Sequence, residues 1–74
     1  MNKIFVDFNN ADSNGRIRLN TNGTLSDREK YKIELLEGRE ILIFDDDEFE
    51  AIGVLKFSPE ENIWVAELDW ENLK

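Results

Sequence analysis

The sequence predicts a mainly β protein, in which five antiparallel strands form one small and strongly bent barrel. Three observations lead to this prediction: short segments with alternating apolar and polar residues, turn-forming residues between them, and a glycine in the middle of the longest segment. The chain has 74 residues and a mass of 8.7 kDa, which is the size of one domain. We therefore expect residues 1–74 to form a single domain.

The first half of the chain supplies two strands and a long connection. Segment 3–8 alternates with apolar residues at its even positions, and segment 15–20 alternates in the same way with apolar residues at odd positions. The 24–32 connection has helical content, and we expect one short helical turn there. Thr24 or Ser26 is the predicted cap of this turn.

The second half supplies three more strands, rich in β-branched and aromatic residues: 39–44, 48–57 and 63–70. Opposite residues in an antiparallel pair share a face, so the apolar pattern predicts the register. The best match places Phe44 opposite Phe49. In the next pair it places Phe57 opposite Trp64. The predicted core face is then Leu42, Phe44, Phe49, Ala51, Leu55, Phe57, Trp64, Ala66, Leu68 and Trp70. For the two tryptophans, the alternative is an exposed aromatic groove.

The opposite face of these strands is also apolar, whereas a half-solvated sheet would carry polar residues there. Its predicted members are Ile41, Ile43, Ile52, Val54, Ile63 and Val65, followed by Glu67 and Asp69. We expect another part of the chain or another molecule to cover this face. Gly53 in mid-strand indicates a bend, and an SH3-like barrel accounts for the bend, the alternation and the length.

The charge of the chain is unevenly distributed. Residues 1–37 contain six bases and six acids, whereas residues 38–74 contain three bases and eleven acids, so the net charge of −8 comes from the second half. Such a surface repels phosphate backbones, which argues against direct nucleic-acid binding. A basic protein partner, or solubility alone, is compatible with this charge.

The composition also disfavours several functions. The chain contains no histidine and no cysteine, so the commonest general base, the thiol nucleophile, disulfides and thiolate zinc sites are all missing. Apolar runs such as 41–44 are far shorter than the roughly 20 residues that cross a bilayer, and the start lacks a signal-peptide pattern. We therefore expect a soluble, cytoplasmic, non-enzymatic protein without a cofactor or a membrane contact.

Residues 10–15, NADSNG, match the opening of a calcium-binding loop, with Asn10, Asp12 and Asn14 as oxygen ligands. The closing position holds Thr21 instead of a bidentate glutamate, and both flanks alternate as strands do. Asparagine, aspartate and glycine are equally typical of turns. We therefore predict a hairpin loop and keep the three residues as weak metal candidates.

Residues 45–50, DDDEFE, gather five carboxylates in six positions. Asp45, Asp46 and Asp47 are weak candidates for a divalent cation, since carboxylate oxygens are ligands of hard cations. Catalysis by paired carboxylates requires two unlike environments, and a solvated turn offers only one. The predicted structure is a charged turn that hinders association between strands.

Three stretches carry a resemblance to known proteins: GRIRLNTNGTL (15–25), IELLEG (33–38) and AIGVLKFSPEENIWVAELDW (51–70). They resemble a group of short bacterial proteins of unknown function, including cyanobacterial ones, and the resemblance covers most of the chain. It implies a small SH3-like β domain. It carries no established activity and no site residues.

The leading functional hypothesis is a small protein-interaction module that uses the acidic, partly aliphatic second face. This face either binds a partner or joins two copies of the chain. A second hypothesis is an acidic, antitoxin-like inhibitor or nucleic-acid mimic that occupies a basic groove of its partner. A third is a weak calcium-binding domain that uses one of the two acidic loops.

Overall fold

The computed structural model describes residues 3–46 and 49–68. The elements in chain order are β1 (Lys3–Phe5), β2 (Ile17–Arg18), α1 (Asn22–Lys30), β3 (Glu40–Phe44), β4 (Glu50–Ser58) and β5 (Ile63–Glu67). The described strands form one five-stranded sheet in the order β1-β3-β4-β5-β2. The prediction of a mainly β protein with five strands is therefore confirmed.

The sheet is mixed, so the prediction of a purely antiparallel sheet is wrong. β1 pairs in parallel with β3, whereas the other neighbouring strands are antiparallel. β2 and α1 lie between β1 and β3 in the chain and provide the long connection that a parallel pair needs. Beyond β1 the chain turns back, and Ala11 forms a bridge with Ile17 of β2. The stretch from β1 to Ala11 thus contributes to both edges of the sheet, because β1 is one edge strand and Ala11 pairs with β2, the other. The sheet curls into a half-barrel.

The register between β3 and β4 differs by one residue from the prediction. Phe44 lies opposite Glu50, not Phe49, and Leu42 lies opposite Ile52. A shift of one residue exchanges the two faces of a strand, because successive side chains point to opposite sides. Between β4 and β5 the predicted register is confirmed, with Phe57 opposite Trp64.

The shift in register changes which residues form the core. Ile41 and Ile43, predicted on the second face, are fully buried in the core. The buried cluster consists of Ile4, Val6, Phe8, Ile17, Leu19, Ile33, Leu35, Ile41, Ile43, Leu55 and Ala66. Of the predicted core residues, Leu55 and Ala66 are confirmed, and three others pack against the cluster half-buried: Ala51, Trp64 and Leu68.

The other predicted core residues are not part of the buried cluster. Leu42 and Phe44 are half-buried on the opposite face of the sheet, while Phe49 is 45% and Phe57 38% exposed. Trp70 lies outside the described residues. At Gly53 the strand continues without a left-handed conformation. The limited space favours a glycine at this position, because a Cβ atom would lie 3.0 Å from the Cβ of Ala66.

The helix α1 is longer than the single turn predicted from the sequence. Its N-cap is Thr21, whose hydroxyl accepts a hydrogen bond from the Thr24 N–H at 3.4 Å, so the predicted caps Thr24 and Ser26 are wrong. Thr24 is the only helix residue that is buried. The helix ends where Tyr31 N–H donates to the Asp27 carbonyl, and Lys32 then turns the chain with φ 51°.

Candidate functional site

The outer face of the sheet, turned away from the buried cluster, carries an apolar centre with carboxylates around it. Leu42 and Ile52 lie opposite each other on β3 and β4. Val54 lies between Glu40 of β3 and Glu67 of β5, which are its two cross-strand neighbours. We call Leu42, Ile52 and Val54 the apolar patch.

The apolar patch keeps part of its surface in contact with solvent. Ile52 is 44% exposed, and Leu42 and Val54 are half-buried. Val65 lies on the same face but is fully buried. Its cross-strand neighbours are Arg18 and Lys56, whose aliphatic stems can cover a valine while their charged ends stay in water. Among the described strand residues of the outer face, Ile52 of the patch is thus the most exposed apolar side chain.

The basic side chains of the outer face are already engaged. Arg18 donates two hydrogen bonds of 2.9 Å to the carboxylate of Glu61. This bond is the main reason why the pKa of Glu61 is lowered and that of Arg18 is raised. Lys56 Nζ lies 3.7 Å from a carboxylate oxygen of Glu37, and Lys3 Nζ lies 5.2 Å from the centre of the Phe44 ring.

The acids around the apolar patch, unlike these basic side chains, are available to a partner. Glu40, Glu50 and Glu67 form no ion pair within the part of the chain that the structure describes. Each of them is exposed. The charge available to a partner at this face is therefore negative.

The predicted interaction residues are only partly brought together. Ile52, Val54, Ile63, Val65 and Glu67 share the outer face. Ile41 and Ile43 belong to the core instead, and Asp69 lies outside the described residues. Leu42, Glu40 and Glu50 were missed because the predicted register placed Leu42 on the core face. The correct register would have identified them from the sequence.

The NADSNG segment is a hairpin loop, as predicted. Asp12 N–H donates to the Arg16 carbonyl at 2.8 Å, and Gly15 N–H donates to the Asp12 carbonyl at 3.0 Å. The Asp12 carboxylate accepts three further hydrogen bonds of 2.9 Å, from Asn14 N–H, Arg16 N–H and Arg16 Nε. Desolvation alone would raise the pKa of Asp12, but these bonds together outweigh it and lower the pKa.

Two other oxygen atoms of this loop also accept hydrogen bonds from the chain. Arg18 donates to the side-chain oxygen of Asn10 at 3.3 Å and to the Ala11 carbonyl at 2.8 Å. The amide of Asn10 donates to Asn20 at 2.8 Å, and Asn14 is exposed. Two arginines thus take the positions around these oxygens that a cation would need. Among the described residues, no group of three or more acids is arranged to hold a metal ion.

The acidic turn between β3 and β4 is described only in part. Asp45 N–H donates to the Phe49 carbonyl at 3.2 Å, and the Asp45 carboxylate accepts from Phe49 N–H at 3.3 Å. Asp46 is exposed, whereas Asp47 lies outside the described residues. The described contacts are those of a turn that closes a hairpin.

A groove runs along β1, between α1 and the end of β3. It consists of three depressions of about 300–310 Å³ each. The middle depression shares Asp27 and Phe44 with the depression on one side of it. It shares Phe5 and Asp46 with the depression on the other side. We call it the β1 groove; its main lining residues are Phe5, Asp7, Asp27, Tyr31, Phe44 and Asp46. Sequence reasoning missed this site because its residues come from three separate elements.

In the described part of the chain, no helix is long and apolar enough to cross a membrane. No protein-family model matches the chain, and no curated protein or solved structure matches it significantly.

Proposed function

We propose that the protein is a small, non-enzymatic interaction module that binds a basic partner protein through the outer face of its sheet. The observation that carries the proposal is the position of Val54, an incompletely buried apolar residue between the unpaired acids Glu40 and Glu67. Apolar surface that stays exposed beside a polar rim is typical of protein-binding sites. The partner surface that fits is an apolar centre flanked by lysine or arginine.

The charge of the outer face favours a basic partner over a second copy of this chain. In a symmetric dimer each patch would meet its own copy, so the carboxylates of Glu40, Glu50 and Glu67 would face one another. Like charges brought together at an interface are unfavourable. A basic surface would instead pair with the same acids and also approach faster by electrostatic attraction.

A matched pair of variants tests this proposal. Ile52 and Leu25 are almost equally exposed, at 44% and 46%, but Ile52 lies in the apolar patch and Leu25 lies on α1. The immobilised wild-type protein, Ile52→Glu and Leu25→Glu are each incubated with a lysate of the host. Bound proteins are then quantified by mass spectrometry.

The expected result is a basic protein that wild type and Leu25→Glu retain and Ile52→Glu loses, with circular dichroism showing that both variants are folded. Light scattering of the free protein should give the mass of a monomer. If both variants retain the same proteins, or if the chain is a dimer that Ile52→Glu dissociates, the proposal is wrong.

A second candidate is an acidic inhibitor that mimics nucleic acid in the basic groove of its partner. The unpaired carboxylates of Glu40, Glu50 and Glu67 favour it, because they present several negative charges on one surface. It is distinguished by competition: DNA or RNA should displace this protein from an inhibited partner, and the affinity should fall steeply with salt. Binding that is insensitive to both would support the apolar patch as the main contact.

The SH3-like assignment, the membership of a protein group, the cellular location and calcium binding also stay proposals. Five strands and a curled sheet support an SH3-like assignment, whereas the parallel pairing of β1 with β3 departs from the antiparallel arrangement expected. Membership of the group of short bacterial proteins, a cytoplasmic location and calcium binding stay predictions from the sequence. Calcium binding is opposed by the hydrogen bonds that already occupy the Asp12 carboxylate.

A further inference from the structure

We propose that the β1 groove is a second docking site, which takes an arginine or lysine side chain from a basic segment of the partner protein. The inference rests on the proposed function in one respect, the basic character of the partner. It goes beyond that function because it assigns a separate surface and the chemical group that the surface recognises.

The shape of the β1 groove suits side chains better than a large ligand. Each depression has a volume of about 300–310 Å³, which is at the lower end of the roughly 300–1,000 Å³ typical of small-molecule pockets. Their shared residues place them in a row. A short extended segment of a partner could therefore insert alternate side chains along β1.

The floor of the groove consists of aromatic rings. Phe5 and Phe44 pack edge to face with ring centres 5.8 Å apart, and Tyr31, which is 58% exposed, lines one end. Faces of aromatic rings attract cations. The chain itself provides an example, because Lys3 Nζ lies 5.2 Å from the centre of the Phe44 ring, within the depression that Lys3 lines. An ammonium group is therefore already accommodated at this site.

The rim of the groove is acidic. Asp7, Asp27, Asp45 and Asp46 line it, and Lys3 is the one base among the described lining residues. One oxygen of Asp27 accepts a hydrogen bond from Phe5 N–H at 2.9 Å, and the Asp45 carboxylate accepts from Phe49 N–H. Asp46 is exposed on the rim shared by two depressions. We therefore assign to Asp46 the direct ionic contact with the incoming cation.

The backbone of β1 excludes one alternative way of binding. The outward N–H of Phe5 donates to Asp27, and the carbonyl of Phe5 accepts a hydrogen bond of 2.6 Å from the Thr24 hydroxyl. An extended peptide could not add to the sheet at Phe5, since both backbone groups are already used. Recognition in the groove must therefore come from side chains of the partner.

A titration of the isotope-labelled protein with a short peptide tests the inference. The peptide is capped Gly-Arg-Gly-Arg-Gly, and the control peptide contains citrulline, a neutral analogue of the same shape, in place of arginine. Amide shifts should saturate at millimolar arginine peptide and be largest at Phe5, Gly23, Asp27 and Phe44. The citrulline peptide should bind at least about 3-fold more weakly, as expected for loss of an exposed cation–π contact.

Variants that remove either an acid or a base from the groove, each with a matched control outside it, make the test specific. Asp46→Asn should weaken binding about 3-fold, the scale of one exposed ion pair, whereas Glu60→Gln, which removes an equal charge from the exposed β4–β5 turn, should have little effect. Lys3→Met should strengthen binding about 3-fold, because it frees the Phe44 ring for the peptide. Lys56→Met removes the same charge away from the groove and should leave the affinity nearly unchanged.

Three results would overturn the inference: no saturable shift, equal effects of Asp46→Asn and Glu60→Gln, or no gain from Lys3→Met. The outer face is tested separately, because Ile52→Glu should not change the affinity for the arginine peptide. If the peptide fails to bind while Ile52→Glu still abolishes capture of a basic protein, the groove assignment is wrong and the proposed function stands.

Discussion

Asp27 and Phe5 are joined by a hydrogen bond of 2.9 Å, in which the backbone N–H of the edge-strand residue donates to the carboxylate of the helix residue. The hydroxyl of Thr24 donates to the carbonyl of the same Phe5 at 2.6 Å. Unpaired backbone groups at a sheet edge invite association with other strands. Two side chains of α1 satisfy these groups, which explains why a short polar helix packs beside β1.

Replacement of Thr24 by valine should destabilise the protein, since it removes the hydroxyl and leaves the Phe5 carbonyl without its donor. The two side chains have similar shapes and similar helix propensities, so the main difference is the loss of the hydroxyl's two hydrogen bonds, to the Phe5 carbonyl and to the Thr21 hydroxyl. We expect a loss of about 1–3 kcal/mol in the free energy of unfolding, measured by urea denaturation. Ser26→Ala on the exposed side of the same helix is the control and should change stability by no more than about 0.5 kcal/mol.

Gly23→Ala should also destabilise the protein, although alanine is the better helix former by about 1 kcal/mol. A Cβ atom at this position would lie 2.5 Å from Cδ2 of the Phe5 ring, so the helix or the ring must move. Such overpacking costs roughly 1–3 kcal/mol, which outweighs the gain in propensity. The neighbouring variant Asn22→Ala lacks the clash and serves as the control. Equal or higher stability of Gly23→Ala in urea would show that the helix does not pack against Phe5 this closely.

The sequence predicted the strands well because their alternation is local, but it did not fix the register of β3 on β4. Segment 41–44 is apolar at every position, so either face of this strand can be placed inside. The matching of Phe44 with Phe49 favoured the wrong choice. The β4–β5 register was predictable, since the short turn at 58–62 and the apolar pattern both favour Phe57 opposite Trp64.

The helix and the β1 groove were harder to predict for a different reason. α1 has a single buried residue and no apolar stripe, so hydrophobic periodicity gives no indication of its length. Its N-cap, Thr21, is a local signal that was overlooked, whereas its contacts with Phe5 depend on tertiary packing. The groove combines β1, α1 and the turn after β3, and no local pattern indicates that these segments meet.

Asp12→Asn should destabilise the hairpin loop in a pH-dependent way. The asparagine would place an amide against Arg16 Nε, which now donates to the carboxylate at 2.9 Å. We expect a loss of about 1–2 kcal/mol at neutral pH. The folded-state pKa of Asp12 lies below the ordinary value of 3.8, so its contribution is fully present above that pH and is lost as the pH falls through the folded-state value.

Urea denaturation of wild type and Asp12→Asn across this pH range provides the measurement. The difference between the two proteins should be constant from neutral pH down to about pH 5 and should shrink below about pH 4. A constant difference at all pH values would mean that the carboxylate charge has no role in the loop.

Calcium should leave the NADSNG loop unchanged, because Arg16 and Arg18 already donate to the Asp12 carboxylate, the Asn10 side-chain oxygen and the Ala11 carbonyl. Calcium would have to displace these bonds without the bidentate glutamate that normally closes such a loop. We expect no amide shift of residues 10–16 at millimolar calcium, with magnesium at the same concentration as the control for ionic strength. A saturable shift specific to calcium would contradict this prediction and restore the loop as a metal site.

Ser58→Ala should have the opposite effect to Thr24→Val, although each variant removes one buried hydroxyl. Ser58 is only 1% exposed, and its Oγ has no hydrogen-bond partner within the described part of the chain. A buried polar group without a partner carries an uncompensated desolvation cost. Its removal should raise the free energy of unfolding by about 0.5–1 kcal/mol, seen as a higher urea midpoint with an unchanged slope. A loss of stability similar to that of Thr24→Val would show that the Ser58 hydroxyl is hydrogen-bonded in solution.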